Sequence, residues 1–252
     1  MSALFDLDAI RTKAESRPAA DDIEREHYPS DPRVVEFAVS RLWRPTRPRP
    51  IVLDPCAGSG VWGQTIKRFW PQAIVIGVDL PGVERPDGYD HWFAGDFLRI
   101  GRRMLKRGIR IDFTATNPPF SKSEEFSALT YELLRPDAWQ IYYLRIAILA
   151  GQDRCREFWP KLPPRAVTTS AKRQSFSGNG RTDPQTEYAL YIWQKGFTGF
   201  GTLLPSFIYD DPETWDWSHT WMSMAFPQQS RRCRRSAALS VVRNGGLAAR
   251  TI

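Results

Sequence analysis

Cysteine is scarce in this sequence, and its scarcity excludes two kinds of site. The 252 residues include three cysteines, Cys56, Cys155 and Cys233, an odd number at wide intervals. This spacing fits neither a disulfide framework nor a CxxC metal site, so we expect neither disulfides nor a bound metal. The first residues include Asp6 and Asp8 and have no basic segment, unlike a secretory signal.

Long hydrophobic runs are also lacking. The most apolar stretch, residues 141–151, contains Arg145 and is far shorter than the ~18 apolar residues of a membrane span. Hydrophobic residues make up 42% of the chain and aromatic residues 13%, which is typical of a folded domain and not of a disordered chain. We therefore expect a cytoplasmic protein with one α/β domain and no membrane partner.

Acidic residues are missing from residues 231–252, which contain six arginines. These arginines supply +6 of the formal net charge of +7, so the charge of the chain does not identify its partner. We predict three regions: an N-terminal arm at residues 1–26, one domain at 27–210, and an Arg-rich, partly disordered extension at 211–252.

Strands and helices alternate along the predicted domain, which indicates a parallel sheet covered on both faces. Asp31 and Pro32 are predicted to begin a helix that runs to about Trp43. The connection between the last two strands has no helix, so we predict that 187–193 runs antiparallel to the fifth strand. Seven strands are predicted, at residues 51–54, 73–78, 91–93, 111–116, 139–144, 165–169 and 187–193, with further helices at 61–70, 98–107 and 123–134.

Four motifs follow successive strands, at the carboxyl ends where open parallel sheets bind ligands. The first is the loop DPCAGSG at residues 54–60, in which Ala57, Gly58 and Gly60 let a ligand approach the backbone. Its strand-to-helix context favours a nucleotide-like ligand. The loop lacks the Lys-Ser/Thr pair of an ATP site and the spacing G-x-G-x-x-G, which disfavours a nucleoside triphosphate or a dinucleotide.

The second and third motifs are acidic. Asp79 ends the second strand and can accept hydrogen bonds from both hydroxyls of a ribose, although an ordinary strand-end Asp is the alternative. Asp96 and Phe97 follow the third strand. There Asp96 can accept a hydrogen from an adenine amine while Phe97 supports the ring, although an Asp before a helix is most often an N-cap.

The fourth motif, Asn117-Pro118-Pro119-Phe120, is the most specific of the four. Two consecutive prolines fix the backbone after a strand and expose the side chain of Asn117 and the carbonyl of Pro118. Two neighbouring acceptors suit an amino group that has two hydrogens to donate. Phe120 offers an aromatic face on which a planar ring can stack.

In this order and at these intervals, the four motifs resemble those of the class I S-adenosylmethionine-dependent methyltransferases. Within that class the chain looks like the amino-methyltransferases that modify N6 of adenine, whose signature is [DN]PP[FYW]. The resemblance covers about residues 27–200 and implies a Rossmann-like fold with S-adenosylmethionine as cofactor. It implies catalytic roles for Asn117, Pro118, Pro119 and Phe120, and cofactor binding by Tyr28, Asp54, Pro55, Ala57, Gly58, Gly60, Asp79, Asp96 and Phe97.

Residues 144–193 look like those of the compact adenine methyltransferases of phages and prophages, which implies a substrate of duplex DNA and a flipped-out target base. A basic, glycine-rich loop near residues 170–186 is predicted to contact the DNA, although a solvated hairpin is the alternative. The resemblance is compatible with a monomer or a weak homodimer, and with a restriction-modification or phage setting. The predicted DNA contacts are Lys172, Arg173, Ser175 and Arg181.

Several alternatives remain open at this stage. Adenine in RNA and the amide of a protein glutamine also present a planar NH2 group to such a motif, and a catalytically inactive DNA-binding subunit is a third possibility. A second basic cluster contains six Arg or Lys residues between Arg99 and Arg110. We interpret it as the solvated face of a helix.

Overall fold

The computed structural model describes residues 29–171, 187–198 and 201–204. The predicted N-terminal arm and C-terminal extension lie outside the described residues, and so does most of the predicted substrate loop. Tyr28, Lys172, Arg173, Ser175 and Arg181 are likewise outside them, so their predicted roles remain predictions.

The described residues form one sheet of eight strands in the order β3-β2-β1-β4-β5-β7-β6-β8. Strand β7 is antiparallel to both β5 and β6, and the remaining neighbours are parallel. The predicted antiparallel position of the last long strand is therefore confirmed. The strands are β1 Ile51–Asp54, β2 Ile74–Asp79, β3 His91–Ala94, β4 Ile111–Thr116, β5 Leu134–Arg145, β6 Ala166–Thr169, β7 Tyr188–Gln194 and β8 Thr202–Leu203.

The predicted count of seven strands is wrong by one, because β8 was missed. This strand has two exposed residues, Thr202 and Leu203, so no buried apolar pattern marks it. Its backbone pairing is nevertheless regular: Thr202 N donates to Arg165 O at 2.9 Å, and Leu204 N donates to Val167 O at 2.8 Å.

Within the described ranges, four α-helices cover the two faces of the sheet: α1 Pro32–Phe37, α2 Val61–Phe69, α3 Phe97–Lys106 and α4 Ser123–Leu133. Helix α1 begins where predicted, because Asp31 accepts a hydrogen bond from Arg33 N at 2.8 Å, and it continues as a π-helical turn, Ala38–Leu42. Helices α1 and α2 pack on one face, and α3 and α4 pack on the other. Strand β1 contributes to both cores, since Val52 faces α1 and α2 whereas Leu53 faces α3 and α4.

Candidate cofactor and substrate site

The four motifs meet at one edge of the sheet, where β1 to β4 end. Backbone hydrogen bonds join the loops there: Ala57 N donates to Val78 O at 3.2 Å, and Gly95 N donates to Asp79 O at 2.7 Å. The hydroxyl of Thr116, the last residue of β4, donates to Cys56 O at 3.2 Å. The glycine loop, the two acidic motifs and the Asn-Pro-Pro-Phe motif are thus neighbours in space.

Asp79 is the acidic side chain that most directly faces the glycine loop. Its Oδ2 accepts a hydrogen bond from Gly58 N at 2.6 Å, and its Oδ1 accepts one from Leu80 N at 2.7 Å. These donors fix the orientation of the carboxylate. A carboxylate has about four acceptor positions, so a half-buried Asp79 retains the capacity to accept hydrogen bonds from the hydroxyls of a ligand.

Asp54, in contrast, lies beneath the loop and is fully buried. Its Oδ2 accepts a hydrogen bond from the Tyr89 hydroxyl at 2.7 Å, and Tyr89 in turn accepts one from Gly63 N at 3.3 Å. The pKa of the Asp54 carboxyl is raised to about 7, mainly by burial and to a smaller extent by the nearby Asp79 carboxylate, against the lowering effect of its hydrogen bonds. Asp54 therefore supports the loop from inside rather than presenting its carboxylate to a ligand.

The surface of the glycine loop is small. Ala57 and Gly60 are buried and Gly58 is half-buried, so the exposed part of the loop is centred on Gly58 and Ser59. Gly60 has φ +86°, and a Cβ added there would lie 2.4 Å from Pro86 Cβ. Glycine at this position therefore fits the protein's own backbone and its contact with Pro86, independently of any ligand.

Asp96 is the N-cap of α3, as the alternative interpretation of its motif proposed. Its Oδ1 accepts a hydrogen bond from Arg99 N at 3.1 Å, and its Oδ2 lies 3.7 Å from Lys122 Nζ. The carboxylate remains about one-third exposed, at 35%. Phe97 is 3% exposed and packs against Phe126 with ring centroids 4.9 Å apart. Phe97 therefore belongs to the core between α3 and α4 and does not offer its ring to a ligand.

The Asn-Pro-Pro-Phe motif directly follows β4. Asn117 and Phe120 are half-buried and Pro118 is buried, and Ser123 Oγ donates to Phe120 O at 2.9 Å. The Arg145 guanidinium lies over the Phe120 ring, 4.2 Å from its centroid. The Tyr188 ring lies beside Phe120 at 5.7 Å with an angle of 46° between the planes.

Three residues of this site were not predicted from the sequence: Tyr89, Arg145 and Tyr188. Arg145 and Tyr188 are opposite each other in the β5–β7 pair, and Arg145 Nε donates to the Tyr188 hydroxyl at 3.4 Å. The only signal for Arg145 was a charge within an apolar run. Nothing in the sequence indicated Tyr89, because it lies in a loop 35 positions from its partner Asp54.

The predicted substrate loop begins and ends at this same edge. Strand β6 runs in the direction of β5, and β7 returns antiparallel to both, so the end of β6 and the start of β7 lie beside the end of β5. Ser170 N donates to Tyr188 O at 3.3 Å, and Ile146 N donates to Glu187 O at 2.9 Å. Residues 172–186 therefore connect two points next to Arg145 and Tyr188.

A separate cavity of about 280 Å³ lies at the opposite edge of the sheet, near the starts of β4 and β5. There the buried Asp112 lies 3.3 Å from Arg135 Nε and 3.7 Å from Arg47 Nε, and accepts a hydrogen bond from Ile51 N at 2.9 Å. None of the four motifs lines this cavity. The contacts of Asp112 with Arg47 and with Ile51 N therefore attach the segment before β1 to β4.

Solved structures similar to this one are methyltransferases and restriction-modification proteins. A structure of a type I restriction-modification system aligns with a TM-score of 0.56 and 14% identity, covering 81% of this chain and 54% of that chain. The M protein of the type I restriction enzyme EcoKI aligns with a TM-score of 0.54 and 15% identity, covering 73% and 52%. A protein of Listeria monocytogenes assigned to the class I S-adenosylmethionine-dependent methyltransferases aligns with a TM-score of 0.52 and 12% identity, covering 72% and 65%.

The chain has the class I methyltransferase fold. It spans about half the length of the two restriction-modification chains and 65% of the Listeria protein. No protein-family model matches the sequence, and no curated protein matches it significantly. Within the described ranges, no group of three or more His, Cys, Asp or Glu side chains could hold a metal ion, and no helix is long and apolar enough to cross a membrane.

Proposed function

We propose that this protein transfers a methyl group from S-adenosylmethionine to the N6 amino group of adenine in duplex DNA. The observation that carries the proposal is the meeting of two motifs at one sheet edge. The Asn-Pro-Pro-Phe motif follows β4, and the glycine loop, tied to Asp79 through Gly58, follows β1 beside it. Ligands of open α/β sheets bind at this edge.

The residues present fit the proposed cofactor. Asp79 is an oriented carboxylate that suits the hydroxyls of a ribose, and the half-buried Gly58 lets a ligand approach the loop. The carboxylate of Asp96 is about one-third exposed and suits the amine of an adenine ring. S-adenosylmethionine, when bound, supplies an electrophilic methyl group on a sulfonium.

Asn117 and the carbonyl of Pro118 are proposed to accept both hydrogens of the target amine. The nitrogen lone pair of an adenine amine is delocalised into the ring, and accepting its two hydrogens favours a pyramidal nitrogen with an available lone pair. Positive charge then develops on that nitrogen during in-line displacement, and acceptors placed beforehand stabilise it. Asn117 is neutral and accepts hydrogen bonds without taking a proton. The bond between sulfur and the methyl carbon breaks as the bond to nitrogen forms, and the methylated nitrogen loses one proton to water afterwards.

Phe120 is proposed to stack against the target base. A paired base in duplex DNA is inaccessible, so it must leave the helix to reach Asn117. The guanidinium of Arg145 and the ring of Tyr188 both contact the Phe120 ring and so limit its movement. Lys172, Arg173, Ser175 and Arg181 remain proposed DNA contacts, on a segment that leaves and re-enters the described structure beside Arg145.

The choice of DNA is supported by the likeness to type I restriction-modification proteins and by the sequence motif together. The experiment that tests it is incubation of the purified full chain with labelled S-adenosylmethionine and, in separate reactions, duplex DNA, RNA and protein. We expect label in DNA, recovered as N6-methyladenine. Label only in RNA or in glutamine side chains would replace the proposed substrate, and cofactor binding without transfer to any of them would indicate an inactive subunit.

A pair of variants separates the two proposed roles. Asp79→Ala should weaken S-adenosylmethionine binding by roughly 2–4 kcal/mol, because charge-assisted hydrogen bonds to the ribose are lost. Asn117→Ala should leave that affinity unchanged and lower the methylation rate by roughly 10²–10³-fold, because one preorganised acceptor is lost. Calorimetry gives the affinities and single-turnover assays give the rates.

Asn117→Asp is the matched control, since the family signature accepts either residue at this position. It should retain activity that Asn117→Ala loses. Equal loss of cofactor affinity in Asp79→Ala and Asn117→Ala would contradict the assigned roles.

A further inference from the structure

Helix α3 presents a face made of positive charges alone. Its ten residues contain no acid, and its apolar side chains are buried against the sheet and α4. The opposite face contains five cationic residues, four exposed and Arg103 half-buried. They are Arg99, Arg102, Arg103, Lys106 and Arg107; we call this surface the α3 basic face.

Most of this face lacks ionic partners. Among the described residues, Arg102, Arg103, Lys106 and Arg107 form no ion pair. Several cations on other elements form ion pairs: Lys67 pairs with Asp90, Arg68 with Glu36, Arg154 with Glu124 and Lys161 with Glu157. The exposed Arg49 and Arg156 form none among the described residues, but they lie singly on different segments. What distinguishes α3 is that four cations without an ion pair are neighbours on one helix face.

Repulsion between the neighbouring positive charges destabilises α3 as an isolated helix. Like charges three or four positions apart are neighbours on a helix and destabilise it by roughly 0.2–0.5 kcal/mol per pair. Arg102 faces Lys106, and Arg103 faces both Lys106 and Arg107, in this way. The helix dipole favours cations in the last turn only, so it accounts for Lys106 and Arg107 and not for Arg99 in the first turn or Arg102 in the middle.

The α3 basic face begins beside the candidate site. The N-cap of α3 is Asp96, and Lys122, two positions after Phe120, lies 3.7 Å from its carboxylate. From there the helix extends away from the sheet edge for about 15 Å, at 1.5 Å per residue. The positive charges therefore begin in the turn next to Asp96 and continue along α3 away from the site.

We propose that the α3 basic face binds the phosphate backbone of duplex DNA beside the flipped base. This inference rests on the proposed function and adds a second DNA-binding surface to the segment 172–186. Duplex DNA has one negative charge per ~1.7 Å of its axis, which matches a row of cations without acids. Four of the five cations are arginines, whose planar forks donate to phosphate oxygens in pairs.

The test is a double variant, Arg102→Ala with Lys106→Ala, which removes two exposed charges four positions apart. Binding of a fluorescent duplex that extends past the target adenine on both sides is measured between about 50 and about 200 mM salt. We expect the slope of log affinity against log salt to decrease by about 1.8 in magnitude, and the affinity near 0.1 M salt to fall roughly 10- to 60-fold. The melting temperature should not fall, because alanine favours helix and the repulsion is removed.

The matched control is Arg68→Ala with Lys161→Ala, which removes the same charge from side chains that are 58% and 71% exposed on other elements. We expect its slope and affinity to stay close to those of the unmodified chain. An unchanged slope in the α3 variant, or an equal change in both variants, would overturn the proposal.

Failure of the proposed function gives a different result, since the unmodified chain would then neither bind nor methylate duplex DNA. Tighter binding of single-stranded RNA than of duplex DNA, lost equally in the α3 variant, would assign the face to a different partner and also overturn the proposal.

Discussion

At the scale of single residues, the buried Asp54, which accepts a hydrogen bond from Tyr89, makes the stability of the protein depend on pH. The pKa of Asp54 is about 7, mainly because burial disfavours its charged form, against 3.8 for an unperturbed Asp. Between about pH 4 and about pH 7, the folded protein holds a proton on Asp54 that the unfolded chain does not. The contribution of Asp54 to stability is therefore greatest below pH 4 and decreases as the pH rises to 7.

This sign leads to a test. Asp54→Asn removes the titrating group and keeps a side chain of the same size, so the variant should lose the decline in unfolding free energy that Asp54 causes between pH 4 and 7. The difference in unfolding free energy between the two proteins should change by about 4 kcal/mol across that interval, because the pKa of Asp54 is about 7 in the folded protein and 3.8 when unperturbed. Urea unfolding at a series of pH values measures it, and parallel curves for the two proteins would refute the assignment.

At the scale of structural elements, Gly60 determines how the glycine loop enters α2. An alanine there would adopt an unfavourable backbone conformation and place its Cβ 2.4 Å from Pro86 Cβ. We expect Gly60→Ala to destabilise the protein by about 2–5 kcal/mol, from the conformation and the overpacking together, and to weaken cofactor binding.

Gly108 provides the control for backbone strain alone. It also has positive φ, at +70°, but a Cβ there would have nothing within 4 Å. Gly108→Ala should therefore cost about 1–2 kcal/mol and leave cofactor affinity unchanged. Equal destabilisation by the two substitutions in urea would show that the contact with Pro86 contributes nothing.

The elements differ in how well the sequence predicts them, for identifiable reasons. The capped helices were predicted because Asp31 and Asp96 each precede a helix that they cap by a side-chain hydrogen bond. The start of β5 was predicted five residues late, at residue 139 instead of 134. The strand follows α4 without a linker, and its pairing with β4 is irregular near Asp137, which has φ +62°. The first five residues of β5 have no apolar alternation, so the sequence did not indicate a strand there.

The sequence predicted at which edge of the sheet Asp79 and Asn117 lie, but it did not predict the side-chain contacts around them. Asp79 and Asn117 each follow a predicted strand, and parallel strands bring their carboxyl ends to one edge, so the two residues were expected to lie at that edge. The sequence could not show that Phe97 packs into the core or that Arg145 lies over Phe120. Both depend on side-chain directions and on the pairing of β5 with β7, which are set by packing over long distances in the chain.

At the scale of the whole molecule, the segment 172–186 is joined to the sheet through described residues on either side of it. Replacing residues 172–186 with a Gly/Ser segment of the same length leaves the anchoring bonds at Ser170 and Glu187 in place. We therefore expect unchanged stability and unchanged cofactor affinity, with much weaker DNA binding and no sequence preference. Thermal unfolding, calorimetry and duplex titration measure the three properties. A replaced protein that still prefers one DNA sequence would show that residues 172–186 do not read bases.

The antiparallel return of β7 has a consequence for how such a protein can diverge. Strands β6 and β7 pair with each other on either side of residues 172–186. A change in the length of that segment would therefore leave the order of β1 to β5 unchanged. Under the proposed function, exchange of this segment would change the target sequence while Asp79 and Asn117 stay in place. The junction of α4 and β5 has no such freedom, since Leu133 and Leu134 are both buried and consecutive, and an insertion there would displace two core residues at once.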